Sequence, residues 1–246
     1  MKKNIFIFSS VFLLMFGIKP VSASSFYINT NEVEFTKQQY DYISNLYYDG
    51  YQDYMLQNDL DKMIELDLFN HPIVVVENGD ITNLNNQNFI NGTSITQNGR
   101  TTKITKSCSS ECLVVLTTTW SVIPTINSYD VIGFRLANAS INSINTASIR
   151  GNNYSITYQP SEAQQFSNGF GYSVKLGNVS GMKITTSLYT STTGTVYGSY
   201  QHAMSNVSLA TSRLYTISSA GYGSVFSFYG NAIFKYDAAG GVSVLL

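Results

Sequence analysis

The sequence predicts a mainly β protein: an antiparallel β-sandwich or jelly-roll-like domain preceded by a small α-helical hairpin. Three observations predict it. The 246 residues include 31 Ser, 22 Thr and 23 Asn but are only 12% charged, a composition that suits strands with hydroxyl-lined faces. Apolar side chains recur at every second position beyond residue 103, and at helical spacing only between residues 36 and 68. Turn residues, rather than helix-length segments, separate the alternating stretches, which favours antiparallel over parallel pairing.

At the start of the chain, Lys2 and Lys3 precede a 14-residue apolar run over 5–18, followed by Val21-Ser22-Ala23. This order predicts a secretory signal peptide over residues 1–23 and a secreted mature chain from Ser24. The run is shorter than the roughly 20 residues that span a bilayer, and no Cys follows Ala23 to carry a lipid. Charge then divides the chain. Residues 24–80 hold eleven acids against Lys37 and Lys62, a balance of −9; from residue 81 nine bases face Glu111, Asp130, Glu162 and Asp237, a balance of +5. Two modules are the simplest reading: an acidic helical module at 24–72 and a β-sandwich domain at 103–246. Residues 73–102 read as a linker with short strands. The basic excess is spread among the strands rather than clustered, which argues against a nucleic-acid partner.

In the acidic module, Thr36 with Gln39 has the capping-box spacing that satisfies free donors at a helix start. Tyr40, Ile43, Tyr47, Tyr51 and Tyr54 follow as an aromatic stripe interrupted by Asp49-Gly50. Asn58 or Asp59 is placed to cap a second helix with Leu60, Met63, Ile64 and Leu68 on its apolar face, ending at Asn70-His71-Pro72. So short a module buries little by itself, so its stripe is expected to pack on the second module or, as the alternative, on a partner protein. Asp49, Asp53, Asp59 and Asp61 lack the alternating ligands, Gly and terminal Glu of a calcium loop and read as a solvated acidic face.

Residues 73–76 form one candidate short strand, and the stretch to Lys106 is rich in Asn, Gly, Gln and Thr. Beyond it the alternating sets are Ile132, Phe134 and Leu136; Tyr154, Ile156 and Tyr158; Phe170, Tyr172, Val174 and Leu176; and Phe226, Phe228, Ala232, Phe234 and Tyr236 around Gly230. Eight or nine half-buried strands follow, apolar sides meeting and hydroxylated sides facing water. Cys108 and Cys112 flank Ser109-Ser110-Glu111, and in an exported chain they predict a disulfide. Four extended residues would separate their Cα atoms by about 13 Å, too far for a bridge, so the segment must curl. Closing so short a loop stabilises by about 2 kcal/mol.

No cofactor motif, multi-His metal set or Gly-x-Ser-x-Gly elbow is present. Only His71 and His202 offer an imidazole base, and a paired-carboxylate hydrolase would have to draw on Glu111, Asp130, Glu162 and Asp237. The 18 tyrosines and low charge density favour a binding surface of aromatic faces and hydroxyls, for which Tyr189, Tyr197, Tyr200 and His202 are the candidate contacts. Trp120, the single tryptophan, sits beside Val122 and Ile123 and reads as core. The leading expectation is a secreted non-catalytic protein that binds an extracellular polymer, carbohydrate or cell wall, or a surface protein. Two alternatives stand beside it. One is a β-pore former, the only reading that brings a membrane partner, inserting a Ser/Thr-rich hairpin over 182–201 whose arms approach the 9–11 residues a membrane strand needs. The other is an extracellular hydrolase.

Overall fold

The computed structural model describes residues 26–74, 89–90, 94–97, 99–218, 224–237 and 241–246; the predicted signal peptide lies outside them. Nothing among them is a helix long and apolar enough to cross a membrane.

The chain begins with a ribbon of β1 (Phe26–Ile28) and β2 (Glu34–Thr36), then α1 (Lys37–Leu46), a 3-10 turn Tyr51–Tyr54, α2 (Gln57–Glu65) and a second 3-10 turn Leu68–Asn70. Thr36 and Gln39 form the predicted capping box at α1. Gly50, at φ 96°, adopts the left-handed conformation that lets the chain turn there. The cap of α2 differs from expectation. It is Leu56, with no side-chain hydrogen bond, and Asp59 falls inside the first turn. The helix starts earlier than the polar residues suggest, which puts Leu60 and Met63 on its buried side.

Two six-stranded sheets follow. One has the order β10-β11-β7-β13-β16-β3: β10 (Gln164–Phe166), β11 (Gly169–Lys175), β7 (Tyr129–Ala137), β13 (Thr195–Gln201), β16 (Gly241–Leu245) and β3 (Phe89–Ile90). The other has the order β4-β5-β6-β12-β8-β9: β4 (Ser94–Gln97), β5 (Arg100–Cys108), β6 (Cys112–Trp120), β12 (Lys183–Thr190), β8 (Ile141–Gly151) and β9 (Tyr154–Tyr158). All pairings are antiparallel except β16 with β3. Even-numbered residues of β6, β7, β11 and β12, including Leu116, Phe134, Tyr172 and Ile184, meet between the sheets as one core. The expected inward set Phe170, Tyr172, Val174 and Leu176 is buried there. The fold is thus an antiparallel β-sandwich with a small helical N-terminal region.

The outer faces are where the sequence misleads. They were expected to meet water, yet both are largely covered. The helical module lays Phe35, Ile43, Leu46, Leu60 and Met63 on Leu113, Val115 and Tyr189 of the second sheet. Thr105 Oγ1 donates to the Leu46 carbonyl, Ser109 Oγ to that of Leu66, and Tyr42 OH to Ser107 Oγ at 2.5 Å. A C-terminal lobe covers the first sheet with α3 (Leu209–Ser212), β14 (Tyr215–Ile217), β15 (Phe226–Phe228) and a 3-10 turn Gly230–Ala232. Its core of Tyr215, Val225, Phe226 and Tyr236 packs on Val131. Thr117 and Thr185 pair at 3.2 Å, with 5% and 2% exposure, beneath a covered face. Hydroxyls can be buried in this way because strands and helix ends supply their partners.

The short strands expected within 73–102 are β3, β4 and the start of β5, the last two paired as a hairpin in the second sheet. Val74 bridges Lys106, while Val75 and Val76 lie outside the described residues. Two further expectations are corrected. Residues 226–236 are not one strand: after β15 the chain makes the 3-10 turn, and Phe234 points into solvent. Residues 182–201 are not a hairpin either. β12 pairs with β6 and β8, whereas β13 pairs with β7 and β16 in the opposite sheet. The Thr192-Thr193-Gly194 turn crosses the sandwich, and each arm is an interior strand whose ladder hydrogen bonds would all have to break for it to unfurl.

Candidate functional site

At one end of the sandwich four strand termini bring polar and aromatic side chains together between the sheets. Arg100 opens β5 and pairs with Trp120, which ends β6. Asp130 lies near the start of β7, and Tyr200 and His202 at the end of β13, where Tyr200 pairs with Ile132. Asp130 is fully buried and accepts from three donors: Tyr200 OH, His202 Nδ1 at 2.8 Å and the Ala203 amide at 2.9 Å. Trp120 Nε1 donates to Tyr200 Oη at 3.0 Å. Asp237 forms an ion pair with Arg100 and accepts the His202 amide at 2.9 Å. The Arg100 guanidinium stacks 5.3 Å over Trp120 and 5.4 Å over Tyr200.

Two of the four acids singled out in the sequence, Asp130 and Asp237, therefore converge on His202. Glu111 sits in the disulfide turn and Glu162 in the 3-10 turn Pro160–Glu162, where it accepts the Gln159 amide. Burial pushes the Asp130 carboxyl above the ordinary carboxylate range despite the opposing pull of His202, the Ala203 amide and Tyr200. Burial, reinforced by the Asp130 charge, likewise raises the Tyr200 hydroxyl well above its usual value.

An Asp holding His Nδ1 is the orienting half of an acid–base relay, with Nε2 left to work. Among the described residues no hydroxyl or thiol hydrogen bonds to that Nε2. The imidazole is 12% exposed, and the Trp120 ring lies edge-on to it at 4.9 Å. The cluster is suited to tie the two sheets together at this end. Trp120 and Arg100, which no sequence signal pairs with His202, are buried to 3% exposure.

The remaining candidate contacts lie elsewhere. Tyr189 is buried beneath the helical module. Tyr197, half-buried on the outer face of the first sheet, carries the Arg135 guanidinium 4.0 Å above its ring. His71 lines a cleft of about 770 Å³ between the helical module and Lys103 of β5. The Tyr42 hydroxyl there is committed to Ser107 and the His71 carbonyl. Cys108 and Cys112 are bridged, their Cα atoms 4.0 Å apart, in a tight turn between β5 and β6.

An open groove of about 590 Å³ lies at the other end of the sandwich, where the turn from β7 to β8 faces the turn from β10 to β11. Asn142, Ser143, Gln165 and Ser167 give it exposed amides and hydroxyls, and Ile144 and Phe166 give it half-buried apolar walls; among the described residues no charged side chain lines it. The sequence held only a weak trace of it, Ser167-Asn168-Gly169 read as a turn.

No family model and no curated protein matches this chain. Two solved structures are similar to it. The collagen-binding subdomain ACE19 of the Enterococcus faecalis surface protein ACE shares 9% identity at a TM-score of 0.30, covering 56% of this chain and 90% of its own. The Enterococcus faecalis MSCRAMM ACE, described as binding its ligands by a collagen hug, shares 12% identity at a TM-score of 0.28, covering 44% of this chain and 54% of its own.

Proposed function

We propose that the protein is an exported, non-catalytic binding module that holds an uncharged extracellular polymer, a neutral glycan, in the groove between the turns 137–141 and 166–169. The observation that carries this reading is the lining of that groove. Amide and hydroxyl groups match sugar hydroxyls, while Ile144 and Phe166 match the apolar face of a sugar ring. A groove without charge suits a neutral chain, since a charged ligand would lose its hydration there without gaining a counter-charge.

The test is a titration of neutral cell-wall and matrix glycans, with matrix proteins as the comparison set. Saturable glycan binding is expected. Gln165→Ala and Asn142→Ala should each weaken it about tenfold, the loss of one or two polar contacts. Binding unchanged in both variants, or saturable binding to a protein and to no glycan, would remove the reading.

A further inference from the structure

The C-terminal lobe carries an apolar surface that its own core does not use. Met204 is 52% exposed, Leu209 39%, Tyr229 47%, Ile233 44% and Phe234 91%. They share one corner: the Met204 amide donates to the Lys235 carbonyl at 2.8 Å, and α3, which begins at Leu209, contacts the 3-10 turn that links Tyr229 to Ile233. The backbone there is also under strain. Phe234 has φ 63°, a conformation natural to Gly and Asn but costly for a bulky side chain. Burial does not offset that cost, because the ring lies almost wholly in solvent.

Charge indicates what such a corner would meet. Residues 204–236 contain no Asp or Glu, and Lys235 and Arg213 are exposed. The carboxylates beside the lobe are occupied: Asp130 is buried against Tyr200, His202 and the Ala203 amide, Asp237 pairs with Arg100, and Glu162, whose carbonyl Arg213 reaches, accepts the Gln159 amide. On the opposite broad face the helical module holds nine acids against two lysines over residues 26–74. This asymmetry turns the lobe toward an anionic surface and the helical module away from it. The other exposed apolar strand, β1 with Phe26 and Ile28, belongs to that acidic module beside Glu34 and would be repelled.

We infer that the Met204–Phe234 corner of the C-terminal lobe docks peripherally on an anionic lipid bilayer, with Phe234 entering the headgroup boundary and Lys235 pairing with phosphate. Flexible aliphatic and aromatic side chains that project beside a lysine supply both parts of interfacial binding, apolar burial and attraction to anionic lipid.

The strain at Phe234 makes the test clean. Phe234→Asn and Phe234→Gly remove the ring and suit the left-handed backbone, so both variants should fold and unfold at a temperature equal to or above that of the parent. Co-sedimentation with vesicles of phosphatidylcholine plus phosphatidylglycerol should show binding, and vesicles of phosphatidylcholine alone far less. Either Phe234 variant should weaken that binding about tenfold, as expected for losing one buried aromatic ring, and Lys235→Gln should reduce its salt dependence. Encapsulated dye should stay inside the vesicles. No binding by the parent protein, undiminished binding by the variants, or a concentration-dependent dimer abolished by Phe234→Asn without vesicle binding would overturn the inference. The groove variants Gln165→Ala and Asn142→Ala should bind vesicles as the parent does, so this result stands apart from the glycan test.

Discussion

Asp130 is the residue on which one end of the sandwich depends. It has no solvent contact, and a phenol, an imidazole and an amide all donate to it. Replacing it with Ala leaves three buried donors without an acceptor, and orphaned donors cost about 1 to 3 kcal/mol each. Asp130→Ala should therefore lower unfolding stability in urea by about 3 kcal/mol or more. A loss below about 1 kcal/mol would show that water replaces the carboxylate at little cost. Composition pointed to His202, Asp130 and Asp237 as the few groups able to do chemistry, but not to their meeting. Asp130 is 72 residues from His202 in sequence, and only the pairing of β7 with β13 brings them together. Arg100 was hidden for another reason: it sits among Asn, Gly and Gln, and such a stretch reads as loop until a partner strand is known.

That the helical module docks on the sandwich is legible in the sequence, because so short a piece cannot bury its own stripe; the face that receives it and the start of α2 are not. Capping spacing and apolar period place α1 correctly, since both signals are local. The hydroxyls that receive the module, Thr105, Ser107 and Ser109, look in the sequence like the wet side of a strand. A buried hydroxyl differs from an exposed one only by what lies above it. Likewise the alternation in β12 and β13 is clear, but alternation does not say which sheet a strand joins, so a crossing turn reads as a hairpin turn. The capping box of α1 yields a local test. Thr36 accepts the Gln39 amide while Gln39 accepts the Thr36 amide. Thr36→Ala should cost about 1 kcal/mol and expose the module first, as faster amide exchange in residues 37–46 than in β6. Uniform exchange across both would mean that the module opens only with the whole fold.

At the scale of the molecule, covering both faces of a sandwich places many aromatic hydroxyls out of water. Tyr47, Tyr48 and Tyr51 lie within the helical module, Tyr172 and Tyr200 between the sheets, and Tyr215 and Tyr236 in the C-terminal lobe; burial raises the hydroxyl pKa of each. Tyr158, on edge strand β9, is pushed up to about 12 by burial, against the Lys175 amide that donates to it at 2.7 Å. An unfolded tyrosine loses its proton near pH 10, so above that pH the unfolded chain holds fewer protons than the folded one. Stability is therefore fully present below about pH 10 and falls as pH rises toward the folded values, by about 1.4 kcal/mol per pH unit for each tyrosine still neutral in the fold. Several buried tyrosines titrate together, so unfolding between about pH 10 and about pH 12 should be abrupt, and the buried tyrosines' share of the phenolate absorbance should rise with the loss of tertiary signal rather than before it. Tyr158→Phe supplies the internal check: it should flatten the pH dependence in that interval by one proton's worth, while lowering stability at neutral pH by about 1 kcal/mol for the Lys175 amide that loses its acceptor. Phenolate appearing well before unfolding in more than the exposed Tyr27, Tyr54 and Tyr229 would mean that the layers admit water and that the covered faces are looser than their packing implies.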